Sequence, residues 1–121
     1  MKKILVVDDQ SEVRELIKVT LRGEGYQIFQ AQSGSEAVEL ATKERPDLII
    51  MDVMMPGSMN GLEATRVLKN DSWTKDCKII MLTAKGQQDD IGEGLSVGAD
   101  DYFIKPFSPL ELIKRVEKIL N

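Results

Sequence analysis

The sequence predicts an α/β fold in which one parallel sheet of five strands carries helices on both faces. First, five short apolar segments alternate along the chain with five segments whose apolar residues recur at helical spacing. Second, the apolar runs at 4–7, 48–51 and 79–82 are continuous, which is typical of strands buried on both faces. Because a parallel connection needs a crossover segment, we expect a helix between consecutive strands.

The size and composition of the chain indicate one globular domain, residues 1–121. Hydrophobic residues make up 42% and charged residues 30% of the 121 residues, as in ordinary folded domains. The net charge of −4 and the isoelectric point of about 4.9 argue against a nucleic-acid-binding surface, which requires a basic face.

Composition also restricts the location and the chemistry of the protein. No apolar run reaches the roughly 20 residues of a membrane span, and the run after Lys3 is too short for a signal-peptide core. The single cysteine, Cys77, excludes an internal disulfide and fits a reducing compartment, so we expect a cytoplasmic protein. The absence of histidine excludes a histidine-based metal site and a catalytic triad. Any metal must therefore be bound by oxygen ligands.

In the first half of the chain, strands are predicted at 4–7, 26–31 and 47–51. A helix with one apolar face is predicted between the first two strands and ends at a pair of glycines. A second helix opens with the capping-box sequence Ser-Gly-Ser-Glu at 33–36. The residues expected to face the core are Val13, Leu16, Ile17, Thr20 and Leu21 in the first helix and Ala37, Leu40 and Ala41 in the second.

In the second half, a helix opens at Asn60, and strands are predicted at 79–82 and 102–104. The segment 86–98 has helical spacing but contains two interior glycines, so we expect a weak helix there. A last helix opens with a capping box at 108–111 that places proline at the first helical position. The expected core residues are Ala64, Val67 and Leu68 in the first of these helices and Leu110, Ile113, Val116, Ile119 and Leu120 in the last.

Polar residues follow the ends of four predicted strands, at the edge where parallel α/β sheets bind ligands. Three like charges at one edge repel, so such a site favours raised pKa values or a bound cation. Carboxylates suit Mg²⁺, and an ammonium and a hydroxyl beside the metal are what a phosphoryl group requires. The pattern indicates Mg²⁺-assisted phosphoryl transfer with an aspartate nucleophile. The residues concerned are Asp8, Asp9, Asp52 (the nucleophile), Thr83 and Lys105.

Taken singly, each of these residues has a simpler interpretation. Asp52 fits a turn, and Asp9, three residues before Glu12, fits a helix cap. Thr83 fits an ordinary strand end, and Lys105 fits a solvated lysine. The simpler interpretations are less favoured when the residues are considered as a set, because four separate strands end in residue types that one reaction requires.

The same residues form four motifs in a fixed order: Asp8-Asp9, Asp52 followed by Met55-Pro56, Thr83-Ala84 and Lys105-Pro106-Phe107. With these motifs, essentially the whole chain resembles the receiver domain of bacterial two-component response regulators, of which the chemotaxis response regulator is the best-known single-domain member. The resemblance implies a flavodoxin-like, doubly wound sheet of order 2-1-3-4-5 with five helices. It also implies a cis peptide bond between Lys105 and Pro106.

The resemblance assigns the acceptor and the metal ligands. Asp52 would accept a phosphoryl group from the phosphohistidine of a sensor kinase. Asp9, Asp52 and the backbone carbonyl of Met54 would bind Mg²⁺ or Mn²⁺, and Asp8 would act on the metal mainly through water.

The resemblance also implies how phosphorylation is sensed. Thr83 would hydrogen-bond one phosphoryl oxygen, Lys105 would pair with another, and Tyr102 would turn inward as Thr83 moves. The simpler interpretation of Tyr102 is a half-buried strand aromatic with its hydroxyl in water. The output would be a changed partner affinity at the surface formed by the fourth helix, fifth strand and fifth helix. Such a protein is a switch that catalyses only its own phosphorylation and dephosphorylation.

The implied partners are a sensor histidine kinase or a histidine phosphotransfer protein upstream and an effector protein or a covalently linked output domain downstream. No output domain follows Asn121, so we expect a stand-alone regulator or a piece of a longer protein. Neither nucleic acid nor membrane is an expected direct partner.

Two features depart from the family pattern. The turn at 56–61 is one residue longer than usual. Met54 and Lys85, two places after Asp52 and Thr83, would shield the phosphate from water, which predicts a long-lived phosphorylated form. A lifetime unchanged in Met54→Asn and Lys85→Ala variants would contradict that hypothesis.

Three other functions compete with this one. A phosphatase of the haloacid-dehalogenase type needs Asp-x-Asp, but Met54 occupies the second position. A flavin- or nucleotide-binding module lacks its signature, because the glycines at 92–98 have the wrong spacing for a dinucleotide site. A receiver-like scaffold without phosphorylation is disfavoured by the complete set of site residues.

Overall fold

The structure, a computed structural model, describes residues 1–57, 59–84 and 89–121. Its five strands form one parallel sheet in the order β2-β1-β3-β4-β5, which confirms the predicted fold class and strand order. Strands and helices alternate along the described chain as β1 (Lys2–Val7), α1 (Ser11–Leu21), β2 (Tyr26–Ala31), α2 (Gly34–Glu44), β3 (Leu48–Asp52), α3 (Gly61–Lys69), β4 (Lys78–Ala84), α4 (Asp89–Ser96), β5 (Asp101–Lys105) and α5 (Pro109–Leu120).

The central strands are apolar on both sides because each side of the sheet has its own core. All five residues of β3 are buried. Successive residues alternate between two apolar clusters, so that Ile49 packs in one and Ile50 in the other. This arrangement explains why the apolar runs in the sequence are continuous rather than alternating.

Side-chain caps begin three of the helices at the positions that the sequence predicts. Asn60 and Glu63 form a reciprocal capping box at α3. Ser33 and Ser108 each accept a hydrogen bond from the backbone N–H of the glutamate three residues later. The α1 helix differs, because its N-cap residue is Gln10 and makes no side-chain capping bond. The alternative interpretation of Asp9 as the helix cap is therefore wrong.

Three predicted core residues lie instead on the exposed side of their helices. Leu16 is 49% exposed, Val67 40% and Leu110 61%. The buried stripe of α5 runs through Leu112 and Val116, one turn apart, and a residue two positions before Leu112 falls on the opposite side. The remaining predicted core residues of the four helices are buried or partly buried.

The predicted weak helix at 86–98 corresponds to α4, and residues 86–88 lie outside the described residues. Its weakness stays a prediction. No helix in the described part of the chain is both long and apolar enough to cross a bilayer.

Candidate functional site: an acidic cluster at the carboxyl edge of the sheet

Parallel pairing brings the predicted site residues to one edge of the sheet. Val7 of β1 pairs with Met51 of β3, so the next residues, Asp8 and Asp52, lie side by side. Asp9 joins them, and one carboxylate oxygen from each of the three aspartates lies within 4.8 Å of the others. We call Asp8, Asp9, Asp52 and Lys105 the acidic cluster.

Among the described residues, Lys105 forms the ion pairs with the aspartates of the acidic cluster. Its Nζ lies 2.8 Å from Oδ2 of Asp8 and 3.4 Å from Oδ1 of Asp52. Burial by itself lowers the pKa of Lys105, but the hydrogen bond to Asp8 and the charge of Asp52 outweigh it, so the pKa is raised. Lys105 is therefore a firmly charged ammonium shared between two carboxylates.

The ionised form of Asp52 remains unfavourable despite the contact with Lys105. Burial and then the charge of Asp8 raise its pKa to about 6, while Lys105 lowers it and Asp9 raises it slightly further. The acidic cluster holds three carboxylates, which offer oxygen ligands, against one ammonium. That donor set fits a hard divalent cation such as Mg²⁺, which would supply the missing positive charge.

The two adjacent aspartates occupy different environments. The side chain of Asp8 is fully buried, and its Oδ1 accepts a 2.9 Å hydrogen bond from the backbone N–H of Gln10 while Oδ2 faces Lys105. Asp9 is exposed to solvent. Asp8 is thus fixed on both oxygens, whereas Asp9 presents its carboxylate at the open side of the site.

Gly61 closes the loop that follows Asp52. Its N–H donates to the carbonyl of Val53 at 2.9 Å, which brings the start of α3 against the end of β3. A Cβ at Gly61 would collide with the carbonyl oxygen of Asp52, so only glycine allows this close approach. Gly61 lies in the turn predicted at 56–61, but no pattern in the sequence indicates this contact.

The proposed sensing residues lie on the neighbouring strands. Thr83 is buried on β4, and Tyr102 on β5 is 37% exposed, opposite Met81. The peptide bond between Lys105 and Pro106 is cis, as the resemblance implies. Met54, in the loop after β3, is 52% exposed, and Lys85 lies outside the described residues.

A residue that the sequence analysis missed also contacts this site. The Nη1 of Arg14 donates to the backbone carbonyl of Asp8 at 2.6 Å, and its Nε donates to Oε1 of Gln30 at 3.0 Å. Arg14 and Gln30 are 16 positions apart in the sequence and lie on different elements, α1 and β2, which the tertiary fold brings together. No local pattern could have indicated this contact.

Fold and site together define an α/β domain with an acidic, lysine-bearing cluster at the carboxyl edge of a 2-1-3-4-5 sheet. The family model of the response regulator receiver domain matches residues 4–117. The chain belongs to that family, which confirms the resemblance found in the sequence.

Similar proteins agree with the family assignment. The chain is 48% identical over 120 residues to the phosphate regulon transcriptional regulatory protein PhoB of Pseudomonas aeruginosa, covering 99% of this chain and 52% of that protein. The chain thus spans about half the length of the curated relatives it matches.

Solved structures match over nearly the whole chain. The chemotaxis response regulator CheY4 of Vibrio cholerae has a TM-score of 0.90 at 38% identity, covering 99% of both chains. The receiver domain of the sensor histidine kinase PA1611 of Pseudomonas aeruginosa, with a magnesium ion coordinated in its active site cleft, has a TM-score of 0.88 at 33% identity, covering 98% of this chain and 97% of that one.

Proposed function

We propose that this domain is a phosphorylation-dependent switch in which Asp52 accepts a phosphoryl group from a phosphohistidine. The donor is a sensor histidine kinase or a histidine phosphotransfer protein. The observation that carries the proposal is the acidic cluster, in which three carboxylates lie within 4.8 Å of one another beside one ammonium. A buried aspartate with excess negative charge around it is poised to bind a cation and to react at its own oxygen.

In the proposed reaction, an oxygen of Asp52 forms a bond to phosphorus as the phosphorus–nitrogen bond of the phosphohistidine breaks. The imidazole leaves with that electron pair. With a pKa of about 6, Asp52 is mostly ionised at pH 7 and can act as the nucleophile. Lys105 lies 3.4 Å from Asp52 and offsets charge on the transferred phosphoryl oxygens.

The divalent cation, Mg²⁺ or Mn²⁺, would be held by Asp9 and Asp52 together with the backbone carbonyl of Met54. When bound, it neutralises phosphoryl charge and aligns the donor with the acceptor. Asp8, which is already fixed by Gln10 and Lys105, contributes through water. The magnesium ion in the cleft of the PA1611 receiver domain supports this choice of metal.

Phosphorylation would then change the surface formed by α4, β5 and α5. Thr83 contacts a phosphoryl oxygen, Lys105 contacts another, and Tyr102 exchanges its exposed position for an inward one. The resulting change in affinity for an effector protein or a linked output domain is on the order of 1–3 kcal/mol. The domain would act in the cytoplasm, and it would catalyse no reaction beyond its own phosphorylation and dephosphorylation.

The first experiment mixes the protein with Mg²⁺ and acetyl phosphate and measures the mass of the intact chain. We expect one phosphoryl adduct on the wild type, none on Asp52→Asn, and none after EDTA is added. An adduct that persists on Asp52→Asn would reject Asp52 as the acceptor. If folded wild type gives no adduct, two explanations are left: a domain that reacts only with the phosphohistidine of its kinase, or a scaffold that is never phosphorylated. A Mg²⁺ titration separates them, because only the first would bind the metal.

A further inference from the structure

Arg14 contacts the acidic cluster but has no part in the function described so far. It lies in the first turn of α1, and its guanidinium donates to the carbonyl oxygen of Asp8 at 2.6 Å. That carbonyl belongs to the peptide group that joins Asp8 to Asp9. Arg14 therefore holds the one backbone unit that sets how the two aspartates are oriented relative to each other.

The guanidinium also reaches a second element of the sheet. Its Nε donates to Oε1 of Gln30 at 3.0 Å, and Gln30 pairs with Val6 across β1 and β2. One planar group thus connects α1, the end of β1 and the edge strand β2. A lysine could reach one of these acceptors but not both in this geometry, because it lacks the fixed fork of an arginine.

Within residues 1–57, 59–84 and 89–121, the other restraints on the turn held by Arg14 act on Asp8 rather than on the Asp9 side chain. Asp8 is fixed by the N–H of Gln10 and by Lys105, and its own N–H donates to the carbonyl of Ala31 at 3.2 Å. The helix that follows lacks a side-chain cap. Orientation of the exposed Asp9 carboxylate therefore depends strongly on the peptide group that Arg14 fixes.

From these contacts we infer that Arg14 is a positioning residue for the divalent-cation site, acting by holding the Asp8–Asp9 peptide so that Asp9 faces Asp52. This inference rests on the proposed function only in that the acidic cluster binds a divalent cation. The observed hydrogen bonds of Arg14 go to a backbone carbonyl and to Gln30, and not to the carboxylates that would bind the metal or to the reacting atoms.

Two physical effects of Arg14 predict opposite results, which makes the inference testable. Arg14 is a positive charge near the site and repels a cation. If this charge were its only effect, replacing Arg14 by a neutral residue would tighten metal binding. As a positioning residue, its removal loosens the ligand geometry and weakens metal binding. The sign of the change in affinity distinguishes the two effects.

The test titrates Mn²⁺ into the purified protein and follows the free ion by electron paramagnetic resonance. We expect Arg14→Gln to weaken Mn²⁺ binding by about tenfold, a loss typical of residues that orient a metal ligand. Arg14→Lys, which keeps the charge and one contact, should restore part of the affinity. Arg66→Gln, at an exposed arginine of α3, removes the same charge and should leave the affinity unchanged.

A second variant and a second measurement guard against a merely structural effect. Gln30→Leu removes only the Nε contact and should weaken Mn²⁺ binding in the same direction but less, so it carries the test if Arg14→Gln does not fold. The rate of adduct formation from acetyl phosphate should need more Mg²⁺ in Arg14→Gln but reach the wild-type plateau, since Arg14 does not contact the reacting atoms.

Binding of Mn²⁺ to Arg14→Gln as tightly as to wild type, or more tightly, would overturn the inference while leaving the proposed function intact. A wild-type protein that binds no Mn²⁺ would overturn both the inference and the metal part of the proposed function.

Discussion

Two lysine–aspartate clusters lie at opposite ends of the sheet, and they differ in charge balance. At the amino end, Lys69 donates to the carbonyls of Lys75 at 3.2 Å and Cys77 at 2.7 Å and to Oδ2 of Asp100 at 3.2 Å. The same Oδ2 accepts the N–H of Ile79 at 2.8 Å. We call Lys69 and Asp100 the basal cluster. One positive and one negative charge balance there, and each has further hydrogen-bond partners.

The acidic cluster has the same kind of ion pair but an excess of negative charge. Lys105 is shared between Asp8 and Asp52, and Asp9 adds a third carboxylate. In the proposed function, one pair of residue types would serve two purposes. The balanced and fully bonded pair would stabilise the fold, whereas the unbalanced one would lower stability and leave a position for a cation or a phosphoryl group.

The largest expected effect concerns the basal cluster. Lys69→Met should lower the free energy of unfolding by about 2–3 kcal/mol, because Asp100 loses its ammonium and two carbonyls lose their donor. Urea denaturation at pH 7 measures this change. Lys114→Met, at an exposed position of α5, is the matched control and should stay within about 0.5 kcal/mol of wild type. Equal effects of the two substitutions would show that the basal cluster does not stabilise the fold.

The acidic cluster should respond with the opposite sign. Asp52→Asn should raise the free energy of unfolding at pH 7.5 in EDTA by about 2 kcal/mol. A pKa rise from 3.8 to about 6 on folding means that ionised Asp52 destabilises the folded state by about 3 kcal/mol. The substitution removes this cost, but it also loses the contact with Lys105, so the net gain is smaller.

The pH dependence follows from the same values. Between pH 3.8 and about 6 the folded protein binds more protons at Asp52 than the unfolded chain, so wild-type stability falls as pH rises through this window. The advantage of Asp52→Asn should thus be full above pH 7 and vanish near pH 4. Denaturation curves at the two pH values measure it, with Asp100→Asn, which should be destabilising, as the contrasting substitution. An advantage that persists at pH 4 would contradict the electrostatic explanation.

The acidic cluster was predictable from the sequence, and the basal cluster was not. Asp8, Asp52 and Lys105 each directly follow or end a continuous apolar run, and parallel strands necessarily bring such positions to one edge. Lys69 and Asp100 are 31 positions apart, and neither stands at a place where a local pattern assigns it a partner. The contacts of Arg14 were missed for the same reason.

The periodicity of apolar residues predicted the buried face of each helix only approximately. Leu16 and Leu110 are apolar residues at plausible helical spacing, yet the sheet packs against Ile17 and Leu112 instead. An amphipathic pattern defines a broad apolar arc, and its two edges look alike in the sequence. Which edge is buried depends on how the helix sits on the sheet, which is a tertiary property.

The smallest expected effect is the response of the two clusters to metal. Mg²⁺ at ten times its dissociation constant should raise the free energy of unfolding of wild type by about 1.4 kcal/mol, since a ligand that binds only the folded state stabilises it by mass action. Asp9→Asn should lose this increment because it removes a proposed ligand, whereas Lys69→Met should keep it on a lower baseline. Thermal or urea unfolding with MgCl₂, against NaCl of equal ionic strength, measures the increment. The same increment in Asp9→Asn would place the bound cation away from the acidic cluster, and the electrostatic difference between the two ends of the sheet would then have no role in metal binding.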